Sequence, residues 1–273
     1  MTVPVYAAVD GSGESIAAAR WAADEAARSG APLRLVHAWP WPLHAAPGLP
    51  GVSEVRGRAV TLLAETAAGL RMSHPDLDIR TVLVDERAPR GITAAAEGAA
   101  LLAVGSGGSH GPAGLPLGSV GRSVAAHASC PVVLVRAGAA VGAAPGEVVV
   151  GVGVHDLADP VLDFALRAAR TRHAPLRVVH AWTAPRRWPE LPDVERAEFA
   201  VHELRGLDQA LHSRRTEVEM IKDIRRSDAA DALQHAARFA DLLVVGRAGH
   251  RLGPVADAVI HRVPCPVAVV PHG

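Results

Sequence analysis

The stretch Gly30-Ala31-Pro32-Leu33-Arg34-Leu35-Val36-His37-Ala38-Trp39 is written again 143 positions later as His173-Ala174-Pro175-Leu176-Arg177-Val178-Val179-His180-Ala181-Trp182. Two further echoes keep the same order: Leu101 to Gly105 with Leu242 to Gly246, and Cys130-Pro131-Val132 with Cys265-Pro266-Val267. The chain is therefore one unit written twice. Between the copies, Arg136 to Gly146 is small, glycine-rich and ends in Pro145-Gly146, the composition of a linker. We divide the chain into domains 1–138 and 147–273.

Within the first copy, short apolar runs (Val3 to Val9, Leu33 to Trp39, Ile79 to Val84, Leu101 to Gly105, Val132 to Arg136) alternate with helical patterns. Near-continuous apolar strands joined by helices predict a parallel sheet covered on both faces, an α/β fold repeated in two tandem open-sheet domains. Ser12 is placed to cap the first helix, with Glu14 in its first turn, Arg28 in its last, Gly30 just past the end and Pro32 beyond. A second helix over 53–72 places Val55, Ala59, Leu62, Thr66 and Leu70 on one stripe. In the second copy, Asp159 reads as a helix cap before Pro160, and Leu204, Leu207 and Leu211 form the matching stripe.

Composition narrows the function. The 273 residues are 49% apolar but only 3% aromatic, so the cores must be packed from Ala, Val and Leu. Lys plus Arg (28) balances Asp plus Glu (28), which removes the electrostatic footprint of a partner such as nucleic acid or an anionic membrane. The longest aliphatic stretch, Val132 to Val154, is broken by Arg136, Pro145 and Glu147, so no spanning helix is expected. Met1-Thr2-Val3-Pro4 does not open a secretory signal, and a cytoplasmic location is expected. Two cysteines, Cys130 and Cys265, suit core filling better than a disulfide or a zinc site.

In an open parallel sheet, ligands sit beyond the carboxyl ends of strands that flank the switch in strand order. The first strand ends at Asp10, before Gly11-Ser12-Gly13; the fourth ends at Gly105, before Ser106-Gly107-Gly108-Ser109-His110-Gly111. After nine intervening residues, 109–117, Gly118-Ser119 opens an alanine-rich helix. Glycines let backbone N–H groups approach an anion, and the start of a helix favours phosphate oxygens. Ser119 adds a hydroxyl. Asp10 cannot favour phosphate, but a carboxylate at a strand end can accept hydrogen bonds from a ribose. Together these describe a nucleotide, with its sugar at Asp10 and its phosphates at Gly108 and Gly118-Ser119. Neither a Walker nor a Rossmann glycine motif occurs, and Lys222 is the sole lysine.

The two-fold repeat, the Asp10 strand end, Gly105-x2-Gly108-x9-Gly118-Ser119 and the Cys130-Pro131-Val132 entry to the last strand resemble the universal stress proteins, specifically a tandem member with two such domains. The resemblance implies the adenine-nucleotide-binding type of sheet, strand order 3-2-1-4-5, with ATP as ligand and Mg2+ admitted at its phosphates. It places adenine against the backbone near Ala38. It also implies a role in stress tolerance, and a domain pair that mimics the dimer of single-domain relatives, with a further homodimer open. Where the family pattern often has a polar residue after Gly-Ser, this chain has Val120; the backbone N–H remains.

The second copy keeps the scaffold and changes the site. Gly153 stands at the Asp10 position, only three residues separate Gly249 from Gly253, and Pro254 replaces Ser119. Proline removes a hydroxyl and an N–H together. One competent nucleotide site is therefore expected, in the first copy. Among the fourteen histidines, His37 and His180 share a repeated position and read as scaffold, whereas His110 and Arg122 fall near the expected phosphates. Trp39 and Trp182 read as packing, and Asp85-Glu86 as a solvated turn. No residue stands out as a catalytic base, so at most slow ATP hydrolysis is expected. The rival reading is an interaction module that binds no nucleotide, with both clefts empty; a weaker third is an adenylate hydrolase or transferase.

Overall fold

Ser12 and Gly30 set the ends of the first helix, α1 (Gly13–Ser29). The Ser12 hydroxyl accepts a hydrogen bond from the Ser15 N–H at 3.2 Å, and Gly30 closes the helix at φ 63°, a conformation that costs glycine little. The structure is a computed structural model that describes residues 2–39, 52–107, 118–138, 146–153, 158–184, 191–212, 214 and 216–273.

The chain divides into two compact units, Met1–Val141 with His250–Leu252, and Gly142–Gly249 with Gly253–Gly273. In the first, β1 (Val5–Ala8), β2 (Leu33–Ala38), β3 (Ile79–Val84), β4 (Leu101–Gly105) and β5 (Val132–Val135) alternate with α1, α2 (Val52–Ser73), α3 (Ala88–Ala95) and α4 (Ser119–His127). The strands pair in parallel in the order β3-β2-β1-β4-β5. The second unit has β6 (Glu147–Gly151), α5 (Asp159–Arg172), β7 (Leu176–Trp182), α6 (Asp193–His212), β8 (Met220–Arg226), α7 (Ala229–Ala236), β9 (Ala240–Ala248), α8 (Pro254–Arg262) and β10 (Val267–His272). Its order, β8-β7-β6-β9-β10, is the same 3-2-1-4-5 pattern within its own strands.

That order reverses direction between the first and fourth strands of each unit. Right-handed crossovers then send the first two helices to one face of the sheet and the last two to the other. In the first unit α1 packs against α2, and α3 against α4. Alanine sets how closely α1 approaches the sheet: Ala18, Ala19, Ala22, Ala23 and Ala26 are fully buried. Leu33, Leu35 and Leu102 fill the first core, and Leu162, Leu176 and Leu242 the second; each such side chain contributes about 1.5–3 kcal/mol by burial.

Three local expectations shift. The buried stripe of α2 is Ala59, Leu63, Ala67 and Leu70, while Val55 is exposed; three- and four-residue spacings fit either stripe, and packing decides. Along α6, Leu207 and Leu211 are buried but Leu204 is exposed. The cap of α5 is Ala158, with Asp159 and Pro160 already helical, and the Asp159 carboxylate pairs with Arg214 instead. Among the described residues no helix is long and apolar enough to cross a membrane.

Candidate functional site

Beyond the carboxyl ends of β1 and β4, where the strand order reverses, a crevice opens in the first unit. Six of the residues expected from sequence, Asp10, Ala38, Gly105, Gly118, Ser119 and Val120, line it together. The seventh, Gly108, lies outside the described residues, as does His110. Arg122 is exposed and not part of the lining.

Asp10 is held by the cap of α1. Its Oδ1 accepts from the Ser12 N–H at 2.9 Å and from the Ser12 hydroxyl at 2.6 Å, while its own N–H donates to Ser15 Oγ at 3.2 Å. Both Ser12 donors fall on Oδ1, so Oδ2 is the less engaged oxygen of this exposed residue. Burial pushes the Asp10 carboxyl up, but hydrogen bonding by Ser12 and Ser15 and the nearby His37 ring outweigh it and hold the group below its ordinary range. The site therefore presents a carboxylate acceptor.

Opposite it, α4 begins. The Gly118 N–H donates to Ser106 O at 2.9 Å, so this glycine is tied back to the end of β4 and its N–H is spent. The Arg122 N–H makes the first helical bond, to Gly118 O. The N–H groups of Ser119, Val120 and Gly121 lie in the first turn, where no intrahelical acceptor exists, and all three residues line the crevice. Val120 thus contributes a donor whatever its side chain.

Gly105 serves packing more directly than ligand approach: a Cβ there would come within 2.8 Å of the Glu14 backbone carbon. Glycine lets β4 end against the first turn of α1, bringing Asp10 and the loop after Gly105 to one place. At Gly107 a Cβ would lie 3.1 Å from Glu14 Oε1, so this carboxylate stands beside the loop.

The lining also includes residues that sequence reading did not assign to the site: Ser15, His37, Ala88, Ile92, Gly107 and Gly121. Ala88 and Ile92 reach it from α3, which the crossover brings over the end of β2. Gly121 carried a usable signal, being in the same helical turn as Ser119. His37 does hold scaffold, its Nδ1–H donating to Val9 O at 2.6 Å, and lines the crevice as well. Trp39 is buried, and its Nε1–H donates to Asp85 Oδ1 at 2.5 Å, so Asp85 anchors the end of β2. The enclosed volume is about 120 Å3, below the roughly 300 Å3 at which ligand pockets begin.

The model of the universal stress protein family matches residues 1–136 and again 146–271. The chain belongs to the universal stress protein family. Among curated members it is 28% identical to a universal stress protein of Mycolicibacterium smegmatis, covering 97% of this chain and 96% of that one. It is 39% identical over 134 residues to universal stress protein Rv2005c of Mycobacterium tuberculosis, a match to 49% of this chain and 45% of that protein, so it spans less than half of that relative in that match. A universal stress protein structure from Archaeoglobus fulgidus superposes with a TM-score of 0.75 at 18% identity, covering 99% of this chain and 98% of that one. A putative member from Pseudomonas aeruginosa does so at 0.64 and 17% identity, covering 98% and 93%.

The second unit of this universal stress protein carries a crevice at the equivalent place. Gly151, Val152 and Gly153 stand where Ala8, Val9 and Asp10 do in the first, and Val255 and Ala256 stand where Val120 and Gly121 do. Loss of the carboxylate and of the serine has not filled it in: its volume is about 370 Å3, larger than that of the first.

Proposed function

We propose that the first unit binds an adenine nucleotide, ATP with Mg2+ carried on its phosphates, and that occupancy alters the conformation or partner choice of a stress-response regulator. One observation carries this reading: Asp10 and the first-turn residues Ser119, Val120 and Gly121 of α4 line a single crevice at the switch in strand order. Carboxylate and donors are complementary to the two ends of a nucleotide. Asp10 accepts from ribose hydroxyls, the α4 turn donates to phosphate oxygens, and the apolar wall of Ala38 and Ile92 suits a base. Gly108 extends the proposal into residues outside the described set.

Among the described residues no group of three His, Cys, Asp or Glu could hold a metal. Magnesium would arrive bound to the phosphates, as it commonly does. Its contribution would be charge neutralisation; Asp10 lines the crevice and Glu14 stands beside Gly107. No general base is assigned. In the second unit, Gly153 and Pro254 remove the ribose acceptor and a phosphate donor, so the nucleotide site is proposed for segment 1–138 alone.

Isothermal calorimetry on protein stripped of nucleotide tests the reading. ATP with Mg2+ should bind at one site per chain. Ser119→Pro should weaken it by about tenfold or more, since a hydrogen bond to a charged group contributes about 1.5–3 kcal/mol. Proline is tolerated at a first helical position, and α8 already starts with Pro254, so the fold is kept. Absence of binding by the intact chain would leave the interaction module, which the apolar Val120 wall and small enclosed volume favour.

A further inference from the structure

The crevice in the second unit lacks the carboxylate and the serine of the first and is the larger of the two. At the ends of β6 and β9, glycines allow neighbouring side chains to pack across the strands. A Cβ at Gly151 would come within 2.9 Å of Leu233, and one at Gly246 within 2.7 Å of His272 Nε2. Leu233 and His272 thus form walls where larger strand residues would have filled the space. Val152, Val161 and Val255 supply further apolar surface, and no charged side chain is among the described lining residues. His272 is the polar exception, and no described residue hydrogen-bonds its ring. At about 370 Å3 the cavity falls within the size of small-molecule pockets, which are mostly apolar with a few orienting polar groups.

We infer that this crevice is a binding site for an uncharged, largely apolar small molecule with a ring system, oriented by one hydrogen bond to the His272 imidazole. The charge argument selects the class. A phosphate or carboxylate here would give up its water with no Lys or Arg side chain among the described lining residues to meet it, which costs several kcal/mol, and Pro254 removes one of the backbone donors that α4 offers in the first unit. An apolar ring gives up only unfavourable contact with water. The inference concerns the second unit and does not depend on nucleotide binding in the first.

The test uses the full chain, stripped of nucleotide, and two probes of one shape: 1-naphthol, which is neutral, and 1-naphthyl phosphate. Calorimetry should show one 1-naphthol site per chain and at least about tenfold weaker binding of the phosphate, one tenfold step being 1.4 kcal/mol. Val255→Asp places a carboxylate in the crevice at a helix start, where it suits the dipole, and should abolish 1-naphthol binding. Ala229→Phe, which occupies the volume without adding charge, should do the same. His272→Leu should weaken 1-naphthol about fivefold, the scale of one hydrogen bond, while Val120→Asp in the first unit should leave it unchanged. No 1-naphthol binding, loss with Val120→Asp in place of Val255→Asp, or equal binding of the phosphate would each overturn the inference. ATP calorimetry on the same samples reads the first unit separately, so neither result stands in for the other.

Discussion

The Nδ1–H of His37 donates to the carbonyl oxygen of Val9 across 2.6 Å, and the repeat of this residue, His180, places its Nδ1 3.2 Å from Val152 O. In each unit an imidazole from the second strand ties down the chain just where it leaves the first strand. His180 is engaged at its other nitrogen as well, 2.9 Å from Glu203 Oε2. His37→Ala should lower stability by about 1–3 kcal/mol, the cost of a lost hydrogen bond with its partner left unmet. His180→Ala should cost more, because it frees Glu203 too. Urea unfolding of both variants checks the order.

Ser12 performs two tasks: it caps α1 through the Ser15 N–H and donates its hydroxyl to Asp10 Oδ1. Ser12→Ala should remove about 1 kcal/mol of stability and also weaken nucleotide binding, since Asp10 loses a side-chain tether. Ser12→Asp would restore a cap while setting a second carboxylate against Asp10. Its stability should recover more than its ATP affinity, a separation that unfolding and calorimetry together resolve.

Asp10 gives the pH dependence a definite sign. Its carboxyl is depressed in the folded chain, burial acting upward but hydrogen bonds from Ser12 and Ser15 prevailing. A depressed carboxylate adds stability above its unfolded value, about 3.9, which is lost as pH falls through the folded value. The stability difference between wild type and Asp10→Asn should stay level from about pH 8 to 5 and narrow below about pH 4. ATP affinity should show no Asp10 titration above about pH 5. A transition near neutral pH that disappears in Asp10→Asn would contradict this.

The two cysteines should be inert. Cys130 and Cys265 are both buried, and burial pushes the Cys265 thiol up to about 12, so almost no thiolate exists at neutral pH. Iodoacetamide at about pH 8 should label neither in the native chain and both in guanidinium, read by intact mass. Rapid labelling of the folded protein would mean that the core opens around β5 or β10.

The fold was legible because the sequence states it twice. His37-Ala38-Trp39 and His180-Ala181-Trp182 fix equivalent strand ends, and Ser12 and Gly30 bound α1 by local chemistry that needs no tertiary context. Helix faces were less legible: Leu62 and Leu63 both fit a helical spacing, and only the sheet beneath α2 selects Leu63. At the candidate site, strand-end reasoning reaches Asp10, Gly105 and Ser119, but Ala88 and Ile92 carry no sign of a ligand. Their spacing reads as core, and topology alone brings them to the crevice. The second cavity was hidden for a similar reason. Replacing Asp10 by Gly153 reads as loss of a site, whereas the volume depends on how Leu233 and His272 pack over Gly151 and Gly246.

A crystal structure of the full chain grown with ATP and Mg2+ tests the central claim most directly. The account predicts one nucleotide per chain, in the first unit, with a ribose hydroxyl on Asp10 Oδ2 and phosphate oxygens on the N–H groups of Ser119, Val120 and Gly121. A triphosphate seated in the second unit beside Pro254, or an empty first crevice at saturating ATP, would contradict it.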